Sequence, residues 1–257
     1  INGIFRRVVR GYEMGEYANV NEIKITTKNL SDFAGKSLVY PEQRFENLPV
    51  GCVPMFAVSE SGGYFFYVEI LIDRHREERK VKVTGVRGSD IPRDITNLIE
   101  ESIDVALDSL VLEGGILYRM MQRTSAHKKD FYIHVHVTDS AMPKDGPSAG
   151  IPMLWALYSC LTKQPIRPKL GATGEVNLRL GSIGAVGGIR EKAIAAHRAG
   201  ITRFVIPEHN RRDLDEVPSE VKEKVEFLPK RFWWEALLEA FPGDKRLQQF
   251  VAKKQSP

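Results

Sequence analysis

Two periods of hydrophobic and polar positions alternate along this chain, and the switches between them mark its elements. Ile4, Phe5, Val8 and Val9 recur at helical spacing in the basic stretch 1–10, which predicts a short amphipathic helix ending near Gly11. Ile23 and Ile25 alternate with polar residues, the period of a strand over Asn21 to Lys28. Residues 52–72 and 79–84 are rich in aromatic and β-branched side chains and predict two β-stretches. The mixed-charge run Asp73 to Lys80 between them is expected to form a hairpin tip, with His75 in solvent. From Asp94 to Leu110, the residues Ile95, Leu98, Ile99, Ile103, Leu107 and Leu110 form a helical stripe that faces a core. Phe131 to Val137 alternates again, with Phe131, Ile133, Val135 and Val137 on one face and His134 and His136 on the other.

Beyond that strand, Lys144-Asp145-Gly146-Pro147 breaks regular structure, and Ile151 to Leu161 is apolar for three helical turns. Ser148 therefore sits where a loop becomes a helix, among free N–H groups that favour negative charge. Leu170 to Leu178 reads as a strand containing Thr173-Gly174-Glu175, and a helix over Ile189 to Ala199 is closed by Gly200. On that helix Ile189, Lys192, Ala193, Ala196 and Ala199 share a face. Lysine is rarely buried without a reason. A serine hydroxyl becomes a nucleophile only when a base takes its proton. An ordinary lysine is protonated at neutral pH, but apolar surroundings destabilise its ammonium. A serine at a helix start and a lysine on an apolar face thus supply the two parts of a Ser–Lys dyad.

Composition narrows the class. Of the 257 residues, 42% are hydrophobic and 27% charged, as in globular domains. The net charge of +4 is spread along the chain and does not argue for nucleic acid. Cys52 and Cys160 are far apart and form no metal-binding or disulfide pattern, so a reducing intracellular compartment is expected. No apolar run approaches the ~20 residues that cross a bilayer. The first residue is Ile1, and the chain is expected to be a piece of a longer protein. Ala34-Gly35-Lys36-Ser37 hints at a phosphate loop, but the glycine that motif needs is Leu30 here, which excludes it. His134 and His136 share a strand face with no third ligand near them in sequence, so no metal is expected.

Several strings, taken in order, carry a resemblance. Pro143-Lys144-Asp145-Gly146-Pro147-Ser148-Ala149-Gly150 is followed by Thr173-Gly174-Glu175-Val176 and by Gly187-Gly188-Ile189-Arg190-Glu191-Lys192. Ala195 to Gly200, Ile206 to Asn210 and Asp213-Leu214 continue the pattern, and Asn29 to Gly35 precedes it. The chain resembles the proteolytic domain of Lon, the ATP-dependent protease, densely over 130–241 and traceably from Ile23. The resemblance implies an α/β fold of mixed sheets and packed helices, like domain 2 of ribosomal protein S5. The expected layout is a connector at 1–21, the domain at 22–241 and a polar C-terminal tail at 242–257.

The resemblance further implies a serine endopeptidase with Ser148 as nucleophile and Lys192 as base. Thr173 is then expected to orient Lys192, Asp145 belongs to a loop that switches the site, and His134, His136 and Glu175 support it by hydrogen bonds. No cofactor is expected in this fragment, since ATP and Mg belong to an ATPase module outside it. Partners implied are unfolded proteins or peptides and further copies of the chain, six in the full-length protein. DNA is conceivable for the family but unsupported by these residues, and no membrane is implied. The compartments that fit are the bacterial cytosol and the mitochondrial matrix. The rival readings are a Lon-like scaffold or nucleic-acid binder with little peptidase activity, and a small-molecule hydrolase using Ser148 differently. The chain departs from the family pattern at Pro54 to Ser59, Val86 to Arg93 and Leu180 to Val186, segments expected to line a substrate groove or subunit contacts.

Overall fold

A computed structural model describes residues 2–17, 22–35, 44–59, 62–73, 80–85, 93–111, 115–118, 132–138 and 147–255. The chain divides into two compact units, Ile1–Gln43 and Arg44–Pro257. In the first unit, α1 (Asn2–Glu13) matches the predicted amphipathic helix, and α2 spans Leu30–Ala34. The strand expected around Ile23 and Ile25 is absent. Residues 22–26 carry no regular structure, and Ile25 is exposed. Asn29 instead closes a local turn, its Oδ1 accepting from the Thr26 N–H at 2.7 Å. Alternation without a neighbouring strand to pair with does not make a strand.

The second unit starts its regular structure with β1 (Cys52–Ser59), β2 (Gly62–Asp73), β3 (Lys80–Thr84), α3 (Arg93–Val111) and β4 (Tyr132–Val137). The sheet order is β1-β2-β4-β3, with β4 antiparallel to β2 and parallel to β3. The expected hairpin between β2 and β3 therefore does not form, because β4 enters between them. Residues 74–79, the expected tip with His75, lie outside the described residues. β1 and β2 bury both faces, which explains their nearly unbroken apolar runs. Val53, Met55, Phe66 and Val68 join the main core on one side, while Phe56 and Phe65 join a second core on the other.

The chain continues through α4 (Gly150–Thr162), β5 (Leu170–Ala172), the short ribbon β6 (Glu175–Val176) with β7 (Ile183–Gly184), and α5 (Ile189–Arg198). The strand expected over 170–178 is thus split at Thr173-Gly174. Every residue of α4 except Thr162 is buried, as its lack of a polar face requires. It packs on α3 and on β1 and β2. β8 (Arg203–Pro207) follows, then a 3-10 segment over Glu208–Glu216, α6 (Ser219–Lys224), β9 (Glu226–Lys230) and α7 (Trp233–Ala240). β8 lies between β5 and β9, parallel to both, so Phe204, Val205 and Ile206 are all fully buried. The Trp155 indole N–H bonds the Ala236 carbonyl at 3.1 Å and fastens α4 to α7.

The expected polar tail contains a helix, α8 (Lys245–Gln255). Leu247 and Val251, four residues apart, point into the main core, one turn of apolar contact inside a charged sequence. Asp244 caps this helix, its Oδ1 accepting from the Arg246 N–H at 2.9 Å. Its other oxygen accepts from the buried Tyr158 hydroxyl at 2.7 Å, which ties α8 to α4. Those bonds and the Arg246 guanidinium outweigh burial and hold the Asp244 carboxyl down at about 2.

Candidate active site

The site is assembled where α4 and α5 begin and β5 ends. Ser148 lies in a 3-10 turn, Pro147–Ala149, that runs directly into α4. Its main chain is held against the residues after β5. The Gly174 N–H donates to the Ser148 carbonyl at 3.1 Å, and the Ile151 N–H donates to the Gly174 carbonyl at 3.0 Å. Gly174 has φ of +151°, and a Cβ there would stand 2.5 Å from Ile183 Cγ2. Gly150 is equally confined, since a Cβ on it would come within 2.7 Å of the Val176 nitrogen. Two glycines thus allow the start of α4 to lie flat on the Thr173–Val176 backbone. The hydroxyl-bearing Ser148 is half-buried at this junction.

Lys192 comes from the first turn of α5, on the face with Ile189, Ala193 and Ala196 that the spacing predicts. The residue is only 5% exposed. Its Nζ donates to Thr173 Oγ1 at 3.3 Å, and Thr173 is itself buried, at 1% exposure. Thr173 Oγ1 in turn lies 3.5 Å from the Ser148 carbonyl oxygen, to which it donates. One hydroxyl therefore links the Lys192 amine to the main chain of Ser148. The Lys192 amine is thus buried with a neutral hydroxyl among its partners, in surroundings where an ammonium costs more than it does in water.

The remaining predicted residues fall elsewhere. Glu175 is half-buried in the β6–β7 ribbon opposite Gly184. Asp145 lies outside the described residues. His134 and His136 stand on the face of β4 opposite the buried Val135, where both meet Thr84 at the end of β3. Thr84 Oγ1 is 2.9 Å from His134 Nε2 and 3.0 Å from His136 Nδ1. Burial, then Lys82 and His136, lowers the His134 pKa from its ordinary value. Among the described residues no three His, Cys, Asp or Glu side chains cluster as around a metal ion, and no helix is long and apolar enough to cross a membrane. Cys52 and Cys160 are buried, and burial pushes their thiols up to about 12 and about 11, which leaves them unreactive. Thr84 was not a sequence candidate, because a lone threonine ending a strand carries no motif. The roles of Gly150 and Gly174 in seating Ser148 depend on contacts between distant segments, which spacing does not encode.

The model of the Lon protease (S16) C-terminal proteolytic domain matches residues 24–241. Lon protease of Dictyoglomus thermophilum is 33% identical over 230 residues, covering 88% of this chain and 26% of that protein. Lon protease of Clostridioides difficile is 37% identical over 233 residues, covering 89% of this chain and 27% of that protein. Lon protease homolog 1, mitochondrial, of Arabidopsis thaliana is 35% identical over 207 residues, covering 79% of this chain and 20% of that protein. The chain thus spans about a quarter of the length of the first two of these curated relatives. With a family model across most of its length, and Ser148, Thr173 and Lys192 gathered where that match lies, the chain belongs to the family of Lon protease C-terminal proteolytic domains.

Proposed function

We propose that this chain is the serine endopeptidase domain of an ATP-dependent protease that degrades unfolded or damaged proteins, working through Ser148 and Lys192. The observation that carries the reading is the buried Lys192 amine on the Thr173 hydroxyl, one hydroxyl away from the main chain of Ser148. In this reading neutral Lys192 takes the Ser148 proton as Oγ attacks a peptide carbonyl. The resulting oxyanion forms at the start of α4, where backbone N–H groups and the helix dipole favour negative charge. The Lys192 ammonium then protonates the leaving amine, and a water molecule hydrolyses the acyl-enzyme with Lys192 again as base. Thr173 positions the amine, and the Asp145 loop governs access to Ser148. Glu175 supports the Thr173 segment through the β6–β7 ribbon. His134 and His136 act at a distance, by bracing the end of β3 at Thr84.

ATP and Mg act in a module outside this sequence, and a ring of six copies delivers unfolded chains to the site. The bacterial relatives and the mitochondrial one support a bacterial cytosolic or mitochondrial matrix setting. The test is cleavage of a loosely folded protein or a short fluorogenic peptide by the chain and by Ser148→Ala. The expected result is weak turnover that the substitution reduces by about a thousandfold or more. Turnover unchanged in Ser148→Ala removes Ser148 from the mechanism. Tight DNA binding by a chain without peptidase activity favours the scaffold reading.

A further inference from the structure

At the far ends of the elements that carry the site lies a separate cavity of about 230 Å³. Lys192 opens α5, whereas Ala199 and Gly200, which line the cavity, close it. Ser148 precedes α4, whereas Ile166 and Arg167 follow it, and α4 alone is ~20 Å long at 1.5 Å per residue. The wall is apolar, built from Leu48, Pro54, Ile166, Leu170 and Ile201. Its rim is cationic. Arg44, Arg167 and Lys169 border it, and none of the three forms an ion pair among the described residues. Glu46 supplies a single carboxylate, and Tyr67 a phenol whose oxygen accepts from the Phe45 N–H at 3.2 Å.

A second observation concerns the backbone of this rim. Lys169 has φ of +54°, a left-handed conformation that a lysine rarely adopts. It is held there because its carbonyl accepts from the N–H groups of Thr202 and Arg203, at 3.0 and 3.3 Å. Non-glycine residues kept in this region cost free energy and gather at ligand clamps. Three cations on one rim favour an anion between them.

We infer that this cavity binds the C-terminal residue of a polypeptide ending in an apolar side chain. The chemistry of each wall selects that occupant. The cations take the terminal carboxylate, the apolar wall takes the side chain, and Glu46 accepts from the last amide N–H. A fatty acid offers a carboxylate and an apolar chain but no donor for Glu46. The volume falls below the ~300 Å³ at which sites for drug-sized ligands begin, so one residue fills it. The site is independent of the Ser148 chemistry, since none of its residues belongs to that group.

The probe is acetyl-trialanyl-leucine, titrated calorimetrically into the Ser148→Ala chain so that no peptide is consumed. The free acid is expected to bind about tenfold more tightly than the C-terminal amide, as loss of a charge-assisted hydrogen bond implies. The double substitution Arg167→Gln with Lys169→Gly, in which glycine keeps the left-handed backbone, is expected to abolish that preference without lowering the unfolding temperature. Octanoate is expected not to compete. Equal binding of acid and amide, a preference that survives in the folded double variant, or competition by octanoate overturns the assignment.

Discussion

Thr173 holds one titratable side chain on its hydroxyl and Thr84 holds two, and they do so in opposite surroundings. Thr173 and Lys192 are sealed between α5 and the start of α4, with 1% and 5% exposure. Thr84 holds His134 and His136 on an open sheet face, where His136 is exposed and Lys82 stands beside His134. Burial is what separates the two. In the first, the Lys192 amine is shut off from solvent with the Thr173 hydroxyl among its partners. In the second, His136 faces water and the Thr84 hydroxyl joins the end of β3 to β4. A threonine hydroxyl thus meets a basic side chain in a sealed site and in an open one. Geometry alone would rank the histidines above the lysine.

The largest effect that follows is at Lys192. Lys192→Met keeps the apolar volume and is expected to lower peptide turnover by about a thousandfold while the chain stays folded, as near-native circular dichroism would show. Next is Gly174→Ala, which forces a side chain into a positive-φ position and against Ile183. It is expected to destabilise the domain by about 1–3 kcal/mol in urea unfolding and to disturb Ser148 with it. Thr173→Val removes the linking hydroxyl while keeping its shape. Turnover is expected to fall about tenfold through kcat, with Thr173→Ser restoring most of it.

Smaller effects test the other side of the comparison. Replacing both His134 and His136 by Gln is expected to change stability by no more than about 0.5 kcal/mol and turnover by less than about twofold. A loss as large as that of Thr173→Val would mean that the open face takes part in the chemistry. Away from both regions, Asp244 sets an acid limit. Its folded carboxyl lies at about 2, below the ordinary 3.8, so its stabilisation is present above pH 3.8 and is lost as pH falls through about 2. Asp244→Asn is expected to flatten that part of the acid unfolding curve followed by tryptophan fluorescence.

Periodicity exposed the parts of the fold whose neighbours are close in sequence or whose faces are sharply divided. α3, α4 and α5 follow their apolar patterns within a residue or two, because one stripe or an entire buried helix leaves little choice. Lys192 was legible for the same reason, as a polar residue on an apolar face. Strand order was not, since β4 reaches its place between β2 and β3 from some fifty residues downstream of β3 and no local signal announces it. Ile23 and Ile25 alternate convincingly yet find no partner strand. α8 was hidden because Leu247, Phe250 and Val251, the residues that face inward, are too few to stand out among lysines and glutamines. At the site, Ser148, Thr173 and Lys192 were sequence candidates, but the seating of Ser148 on Gly174 was not foreseeable. That contact joins segments twenty-six residues apart, through main-chain atoms that carry no sequence signature.

The most direct test of the account compares peptide turnover by Ser148→Ala, Lys192→Met and the variant carrying both. If the hydroxyl and the buried amine act as one unit, the double variant is no slower than either single one. Losses that multiply in the double variant would show two independent contributions and contradict the account.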